Sequence, residues 1–479
     1  MTRRTKIVAT VGPASESPDA LEALIRAGVD VFRLNLSHGT LEEHLERVVD
    51  IRAAADRVGR AVGVLADLPG PKVRCAPFPD GGVMLETLAV VELAAGSAGS
   101  DQRRIEIEYP SLLSDIRMDD YVILGDGAIT LRVLQVAPVV RAVVETGGRV
   151  QGRPGAHLHS ERLRLETPTA EDLVLARAMA AADVDFLAVS FVRAAADLRR
   201  VREVVGDWRG GIVAKIETAP AVAALNELVE EADAIMVARG DLGIECPMED
   251  VPHLQKQIVR RCVESGVPVI TATQMLESMI TAPAPTRAEV SDVANAVFDG
   301  TDAVMLSGET AIGADPIRVV RTMARITERA ERESAYRQWA NRLGRVQRSL
   351  SSVATDNDRI TFAITHAAQQ AAVDIGASAI LCCTRSGNTA RAMARFRPEA
   401  RLIGLSPNLG TVRSMTLSWG VEPLQVDVYR SIDDLVWFAV ERSVGSGAVK
   451  HGELVVVLAG EPRRGTGGAT DVLRVVRVT

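Results

Sequence analysis

Near the middle of the chain, Lys215 and Glu217 stand two residues apart in GIVAKIET, and Asp241 follows in AIMVARGDLGIE. Both runs open on apolar residues of buried-strand type, and alternation along a strand sends Lys215 and Glu217 to the same side. Two carboxylates from neighbouring strands suit Mg2+, which takes one or two protein carboxylates and fills its shell with water and phosphate oxygens. The plainer reading is a salt bridge between Lys215 and either acid. Lysine usage weighs against it, because the chain holds only five lysines (Lys6, Lys72, Lys215, Lys256 and Lys450) and otherwise uses arginine. An ammonium kept at a strand end meets a need for a point charge that arginine's planar fork does not. Residues 239 to 241 also spell the Arg-Gly-Asp tripeptide of adhesion ligands, which would want a protruding loop. The buried-strand pattern before Asp241 predicts instead a carboxylate held inward.

Eight short β-branched runs begin at Lys6, Asp30, Ala61, Asp185, Gly211, Ala234, Pro268 and Asp302, and helical patterns lie between them. In the first of these, SPDALEALIRAG, Ser17 can cap the helix, Pro18 can open it and Gly28 can stop it. Eight repeats of strand then helix predict an α/β fold, a (β/α)8 TIM barrel. Such a barrel builds its site at the C-terminal ends of the strands. Those ends carry Arg33, Asn35 and Ser37, then Asp67, Lys215 with Glu217, Asp241, Thr273, and Ser307 with Glu309.

Between Pro71 and about Arg162 the rhythm breaks into Gly- and Pro-rich text with short alternating runs such as GAITLRVLQV. This predicts a β-rich lid domain inserted after the third strand. Beyond about Gln338 a linker leads to a further αβ pattern, with SAILCCTRSGNTARAMARF, RLIGLSP and ELVVVLAG. The expected divisions are 1–71 and 163–340 for the two parts of the barrel, 72–162 for the lid, and 341–479 for a C-terminal α/β domain, expected to be another parallel sheet.

At 479 residues the chain exceeds one ordinary core, and 47% apolar with 24% charged residues describes a folded globular protein. The formal charge is -7 and no basic run tracks a phosphate backbone, so nucleic acid is excluded as a partner. Cys75, Cys246, Cys262, Cys382 and Cys383 form no Cys-x-x-Cys pair, which suits a reducing compartment. The opening MTRRTKIVATVGP lacks the apolar core of a signal peptide, and no stretch is apolar for long enough to span a bilayer. A cytoplasmic protein without a membrane partner is expected. Walker A, Gly-x-Gly-x-x-Gly and His-Glu-x-x-His patterns are missing. The residues themselves lead to a Mg2+-assisted enzyme acting on an anionic, phosphorylated small molecule.

The ordered set TKIVATVGPAS, FRLNLSHG, KIET, MVARGDLGIE, TATQMLESM, PTRAEVSDVANAVFDGTDAVMLSGET and TRSGNTARAMARF resembles the pyruvate kinase family from Thr5 onward. The resemblance implies a split barrel, a mobile lid, a C-terminal regulatory domain and a homotetramer. It implies transfer of the phosphoryl group of phosphoenolpyruvate to ADP, with Mg2+ or Mn2+ as cofactor, giving ATP and pyruvate in the final step of glycolysis. By match to the family, Lys215 touches the transferring phosphoryl group, Arg33 grips phosphate, and Glu217 and Asp241 hold the divalent ion. Gly240, Asp241, Thr273 and Ser307 border phosphoenolpyruvate, with Thr273 beside the enolate carbon. Pro13, Asn35, His38 and Arg74 border the nucleotide. A lyase or mutase barrel acting on phosphoenolpyruvate or a keto acid is the alternative.

Members of the family that need K+ resemble Asp-Thr-Lys-Gly-Pro-Glu where this chain reads ADLPGPKVR. Asn35, Ser37 and Asp67 of that ion's site are kept, but Leu68 replaces the threonine and Lys72 the glutamate. Lys72 resembles the K+-independent branch, in which its ammonium occupies the charge position of the ion, so K+ is not expected to be required. The return from the lid, GRPGAHLHS, also departs from the family, and His157 and His159 are expected to serve as hinge or packing residues. In CCTRSGNTA, residues Thr384, Ser386, Gly387, Asn388 and Thr389 resemble the family's phosphate loop for a sugar-phosphate or nucleotide effector, to which Arg463 and Arg464 add charge.

Overall fold

The computed structural model describes residues 3–71, 73–125, 127, 129–158, 165–333, 355–428, 432–460 and 468–479. Lys72, His159, Arg463 and Arg464 lie outside the described residues.

Three strands come first, β1 (Lys6–Thr10), β2 (Val31–Asn35) and β3 (Gly63–Asp67). The helix Pro18–Ala27 between the first two follows its sequence signals: Ser17 Oγ accepts from Ala20 N, and Gly28 ends the helix at φ 122°. After β3 come eight strands of two to seven residues: β4 (Val83–Leu85), β5 (Val90–Ala95), β6 (Arg104–Ile107), β7 (Tyr121–Leu124), β8 (Ile129–Gln135), β9 (Val140–Thr146), β10 (Gly148–Val150) and β11 (Ala156–His157). Six of them form one sheet in the order β11-β7-β8-β9-β5-β6, while β10 pairs with β4. Alternation places Ile129, Leu131 and Val133 of β8 on the same inner face as Val140, Ala142 and Val144 of β9. This is the inserted β-rich unit.

The barrel resumes with β12 (Phe186–Val189), β13 (Gly211–Ile216), β14 (Ala234–Ala238), β15 (Val269–Ala272) and β16 (Ala303–Leu306). It closes in the order β1-β16-β15-β14-β13-β12-β3-β2 with every pairing parallel. Val8, Val31, Leu65, Val213, Met236, Ile270 and Met305 fill its interior.

A four-fold repeat secures the opposite end from the strands' C-terminal mouth. Asp30, Asp185, Asp233 and Asp302 each immediately precede an alternate strand, and each accepts a backbone N–H from the strand beside it. The donors are Ile7 at 2.9 Å, Val64 at 2.7 Å, Ile212 at 2.9 Å and Val269 at 3.1 Å. Every one of these carboxylates also meets an arginine, which for the buried Asp30, Asp185 and Asp302 offsets the cost of burying the charge. Asp30 takes Arg3 and Arg60, Asp185 takes Arg52 and Arg413, Asp233 takes Arg202, and Asp302 takes Arg397.

Arg397 and Arg413 belong to the C-terminal unit, so two of the four aspartates tie that unit to the barrel. Its Leu417 joins the barrel's interior cluster, and Lys6 Nζ donates to Val421 O at 2.7 Å. The unit's sheet, β19-β18-β17-β20-β21, comprises β17 (Ala379–Cys383), β18 (Arg401–Ser406), β19 (Val421–Gln425), β20 (Leu454–Ala459) and β21 (Val472–Arg477). Four strands are parallel as expected, and β21 runs antiparallel to β20. The text between them, GEPRRGTGGATD, has no apolar helical pattern to serve as a parallel crossover. Among the described residues no helix is long and apolar enough to cross a membrane.

Candidate active site

Side chains from seven barrel strands or the turns that follow them line one cavity at the C-terminal mouth. Arg33, Asn35 and Ser37 come from β2 and its turn, Asp67 from the end of β3 with Leu68 just beyond it, Lys215 from β13 with Glu217 just beyond it, Asp241 from beyond β14, Thr273 from beyond β15, and Ser307 from beyond β16. Ser190 and Phe191, just past β12, complete the wall. The charged members are Arg33 and Lys215 against Asp67, Glu217 and Asp241, one negative charge in excess.

Asp67 organises the cations. Its Oδ2 takes Arg33 Nε and Nη2, each at 2.7 Å, and its Oδ1 lies 3.1 Å from Lys215 Nζ. Arg33 Nη1 also donates to Thr10 Oγ1 at 3.1 Å. Lys215 Nζ stands 2.9 Å from Glu217 Oε1 and donates to Ser190 Oγ at 2.6 Å, while the serine hydroxyl donates to Leu68 O at 2.7 Å.

These contacts set the protonation states. Burial alone would lower the pKa of Lys215, but Asp67 and Glu217 together outweigh it and raise it, so the side chain is an ammonium at neutral pH. Burial likewise pushes Asp67 up, and the charges of Lys215 and Arg33 overcome it and hold the carboxyl below its ordinary value. Glu217 goes the other way. Burial raises it to about 7, Lys215 opposes the rise, and Asp241 adds to it.

Glu217 also supplies the test of whether a cation fits. Its Oε2 accepts from Phe191 N at 2.6 Å, but its buried Oε1 receives no aligned hydrogen bond, only the ion-pair contact with Lys215. An acceptor left in that state, with Asp241 on the same cavity, is a donor set of the kind Mg2+ uses. Among the described residues no group of three or more His, Cys, Asp or Glu side chains is gathered tightly enough to cage an ion.

Two expected strand-end residues sit differently. Asp241 is carried in the first turn of a short helix, Arg239–Glu245, and still lines the cavity. Glu309 turns away from the mouth and accepts Leu276 N at 3.1 Å and Ser307 N at 2.7 Å, tying two loops together. Pro13, His38, Gly240 and Arg74 are not among the lining residues. Pro13 and His38 are exposed on the adjoining turns, Gly240 N donates to Thr273 Oγ1 at 2.9 Å, and Arg74 bridges to Gly155 at the root of the inserted sheet. Ser190 is not among the residues the sequence reading selects. Its signal is a hydroxyl directly after the four buried residues FLAV.

In the C-terminal unit, Gly387 adopts φ 85° at the start of helix Asn388–Ala394. Thr384 Oγ1 accepts Gly387 N at 2.9 Å and Thr389 Oγ1 pairs with Thr470 Oγ1 at 2.8 Å, so both threonines are engaged and buried. Ser386 and Asn388 face solvent. A larger groove of about 490 Å³ on the barrel's outside, lined by Asn226, Lys256, Arg260 and Glu264, receives no strand end.

The closed parallel barrel, with an ammonium, a guanidinium and convergent carboxylates at its C-terminal mouth, is that of a (β/α)8-barrel enzyme. Comparison with known proteins narrows the class. The family profile described as "Pyruvate kinase, barrel domain" matches residues 2–320, and "Pyruvate kinase, alpha/beta domain" matches residues 362–476. A pyruvate kinase of Methylorubrum extorquens is 41% identical over 479 residues, covering 100% of this chain and 98% of its own length. One from Geobacillus stearothermophilus is 40% identical over 481 residues, 99% of this chain and 80% of the relative, and one from Staphylococcus aureus is 38% identical over 479 residues with the same coverage. The chain belongs to the pyruvate kinase family, a family of phosphotransferases, and this sets aside the lyase or mutase alternative.

Proposed function

We propose that the mouth of this barrel moves the phosphoryl group of phosphoenolpyruvate to ADP. The bond from phosphorus to the enol oxygen breaks, a bond from phosphorus to the terminal phosphate oxygen of ADP forms, and the enolate takes a proton at C3 to become pyruvate. The observation that carries the reading is the placement of Lys215 Nζ, an ammonium fixed at 3.1 Å from Asp67 and 2.9 Å from Glu217 and lining the cavity. Little covalent chemistry is asked of the protein in such a transfer, and positioned charge does most of the work.

Lys215 places its charge on the oxygens of the phosphoryl group in transit. Arg33, its fork locked on Asp67, grips phosphate. Glu217 and Asp241 would hold Mg2+ or Mn2+, which when bound neutralises phosphate and carboxylate charge. Gly240, Asp241, Thr273 and Ser307 border phosphoenolpyruvate, and the Thr273 hydroxyl stands where the enolate carbon is protonated. Pro13, Asn35, His38 and Arg74 face the nucleotide. The inserted sheet acts as a lid that keeps out water able to intercept the phosphoryl group. In this reading residues 1–71 and 163–340 form the barrel, 72–162 the lid and 341–479 a regulatory domain. A sugar-phosphate or nucleotide effector meets Ser386, Asn388 and the backbone of Gly387 in the loop that also contains Thr384 and Thr389. The working form is a cytoplasmic homotetramer.

No K+ is required in this reading. Asp67 is already engaged by Arg33 and Lys215, and Leu68 O by the Ser190 hydroxyl, which leaves Asn35 and Ser37 as the other members of the ion's site. Lys72 supplies the tethered charge. The experiment is pyruvate formation from phosphoenolpyruvate and ADP with Mg2+ in tetramethylammonium buffer, before and after adding K+. Wild-type protein should be fully active in both, and Lys72→Glu active only with K+. A wild type that is silent without K+, or a Lys72→Glu variant indifferent to it, removes the claim about K+. No pyruvate in either buffer removes the reaction itself.

A further inference from the structure

Thr273 and Gln274 leave β15 with φ of 69° and 55°. This left-handed conformation is costly for a β-branched threonine and persists only where the surroundings over-determine it. One side chain supplies that constraint. Arg239, the first residue after β14, donates from Nε to Ala272 O at 3.2 Å and from Nη2 to Thr273 O at 2.6 Å. Nη2 also lies 2.8 Å from Met275 Sδ. A planar fork that takes two successive carbonyls fixes both the position and the tilt of the peptide between them, which a lysine's point charge does not.

The fork is itself anchored from outside the barrel. Its Nη1 lies 2.7 Å from Asp292 Oδ2 and donates to Gln255 Oε1 at 3.3 Å. Asp292 belongs to helix Arg287–Asp299 and Gln255 to helix Val251–Ser265. With the peptide held in this way, Thr273 Oγ1 accepts Gly240 N at 2.9 Å and donates to Ala272 O at 2.7 Å, at the cavity wall it shares with Lys215 and Asp241. Arg239 is not part of that wall.

We propose that Arg239 is a positioning residue for the proton-transfer half of the reaction, fixing Thr273 at the cavity wall beside the enolate by gripping the carbonyls of Ala272 and Thr273. In that half the C2=C3 electron pair of the enolate forms the new C3–H bond with a proton relayed from solvent at Thr273, and the oxygen on C2 becomes the keto carbonyl. The inference rests on the reading of Thr273 given above. Phosphoryl transfer, which uses Lys215 and the carboxylates, does not depend on Arg239 in the same way.

Exchange of the pyruvate methyl protons in D2O, followed by proton NMR with Mg2+ and ATP present, isolates the C3 step. Arg239→Met should slow exchange by roughly ten- to a hundredfold, as expected for a misplaced reacting group. The KM for phosphoenolpyruvate should change by less than about threefold, since Arg33 and Lys215, which would hold its phosphate, are not among the contacts of Arg239. Arg239→Lys should recover part of the exchange rate. Thr273→Ala should slow exchange as much, and Arg239→Met should add nothing to it. Wild-type exchange in Thr273→Ala would overturn the role of Thr273. Slow exchange in Thr273→Ala with wild-type exchange in Arg239→Met would overturn the role of Arg239 alone. Asp292→Asn, which keeps the guanidinium and loosens its anchor, should show a smaller loss in the same direction. It replaces Arg239→Met if that variant fails to fold, and unchanged exchange in it would then count against the proposal.

Discussion

Asp67 Oδ1 lies 3.1 Å from Lys215 Nζ, and the other oxygen of the same carboxylate holds Arg33 at 2.7 Å. One buried anion on the third barrel strand thereby sets the spacing of two cations carried by the second and fifth. A phosphate seated between those cations meets a geometry fixed before it arrives, so the cost of orienting the charges is met in folding rather than in the reaction.

Asp67→Asn keeps the size of the side chain and removes its charge. Activity should fall by about a hundredfold, as a misplaced catalytic group costs. Unfolding in urea should show a loss of about 3 kcal/mol, the penalty for leaving buried cations without their partner. Measured rates of ATP formation and the urea midpoint check both numbers, and a variant with wild-type kcat would remove Asp67 from the site.

Ser190 connects Lys215 to the carbonyl of Leu68 through one hydroxyl, with bonds of 2.6 and 2.7 Å. Ser190→Ala should lower kcat by about tenfold, the worth of one charge-assisted hydrogen bond. Its KM for phosphoenolpyruvate should stay near that of the wild type, because the serine supports Lys215 rather than binding substrate. Ser190→Thr should restore part of the rate. Equal losses in kcat for the alanine and threonine variants would show that the hydroxyl is not what counts.

How much of this was readable from the sequence depends on the residue. Lys215, Glu217 and Asp241 are visible because a charge that ends an apolar run has few structural excuses. Ser190 is not, because a serine after FLAV is compatible with any loop. The grip of Arg239 is hidden for a different reason. It accompanies a reversal in the sign of φ at Thr273 and Gln274, and nothing in TATQML announces that reversal. The aspartate repeat at the barrel's base is intermediate. Asp30, Asp185 and Asp302 stand in the text at the openings of strands, but their role as acceptors for neighbouring strands follows from barrel closure and register. Glu309, placed by its spacing at the mouth, is claimed instead by two backbone N–H groups.

Asp30 gives the base of the barrel a defined acid limit. Burial would raise its pKa, but Arg3, Lys6, Arg60 and the Ile7 N–H together bring it down from 3.8 to about 2. A carboxyl with a depressed folded-state pKa stabilises the fold fully above its unfolded value and loses that contribution as pH falls through the folded one. The window here runs from 3.8 down to about 2, and the contribution lost across it is about 2 kcal/mol. Unfolding titrations at a series of acid pH values should show this slope. Asp30→Asn should flatten it while lowering stability at neutral pH by about 3 kcal/mol, since Arg3, Lys6 and Arg60 would lose their shared counter-charge.

In the proposed reaction Glu217 would be a ligand of the metal, and the rate of ATP formation from phosphoenolpyruvate and ADP as a function of Mg2+ concentration tests both the reaction and that role. Wild-type protein should saturate with Mg2+, and Glu217→Gln, which keeps the contact to Phe191 N but removes one of two ligand charges, should need on the order of a hundredfold more Mg2+ and reach a lower maximum. An unshifted Mg2+ dependence in Glu217→Gln, or no ATP formed by the wild type at any Mg2+ concentration, would contradict the assignment of this cavity.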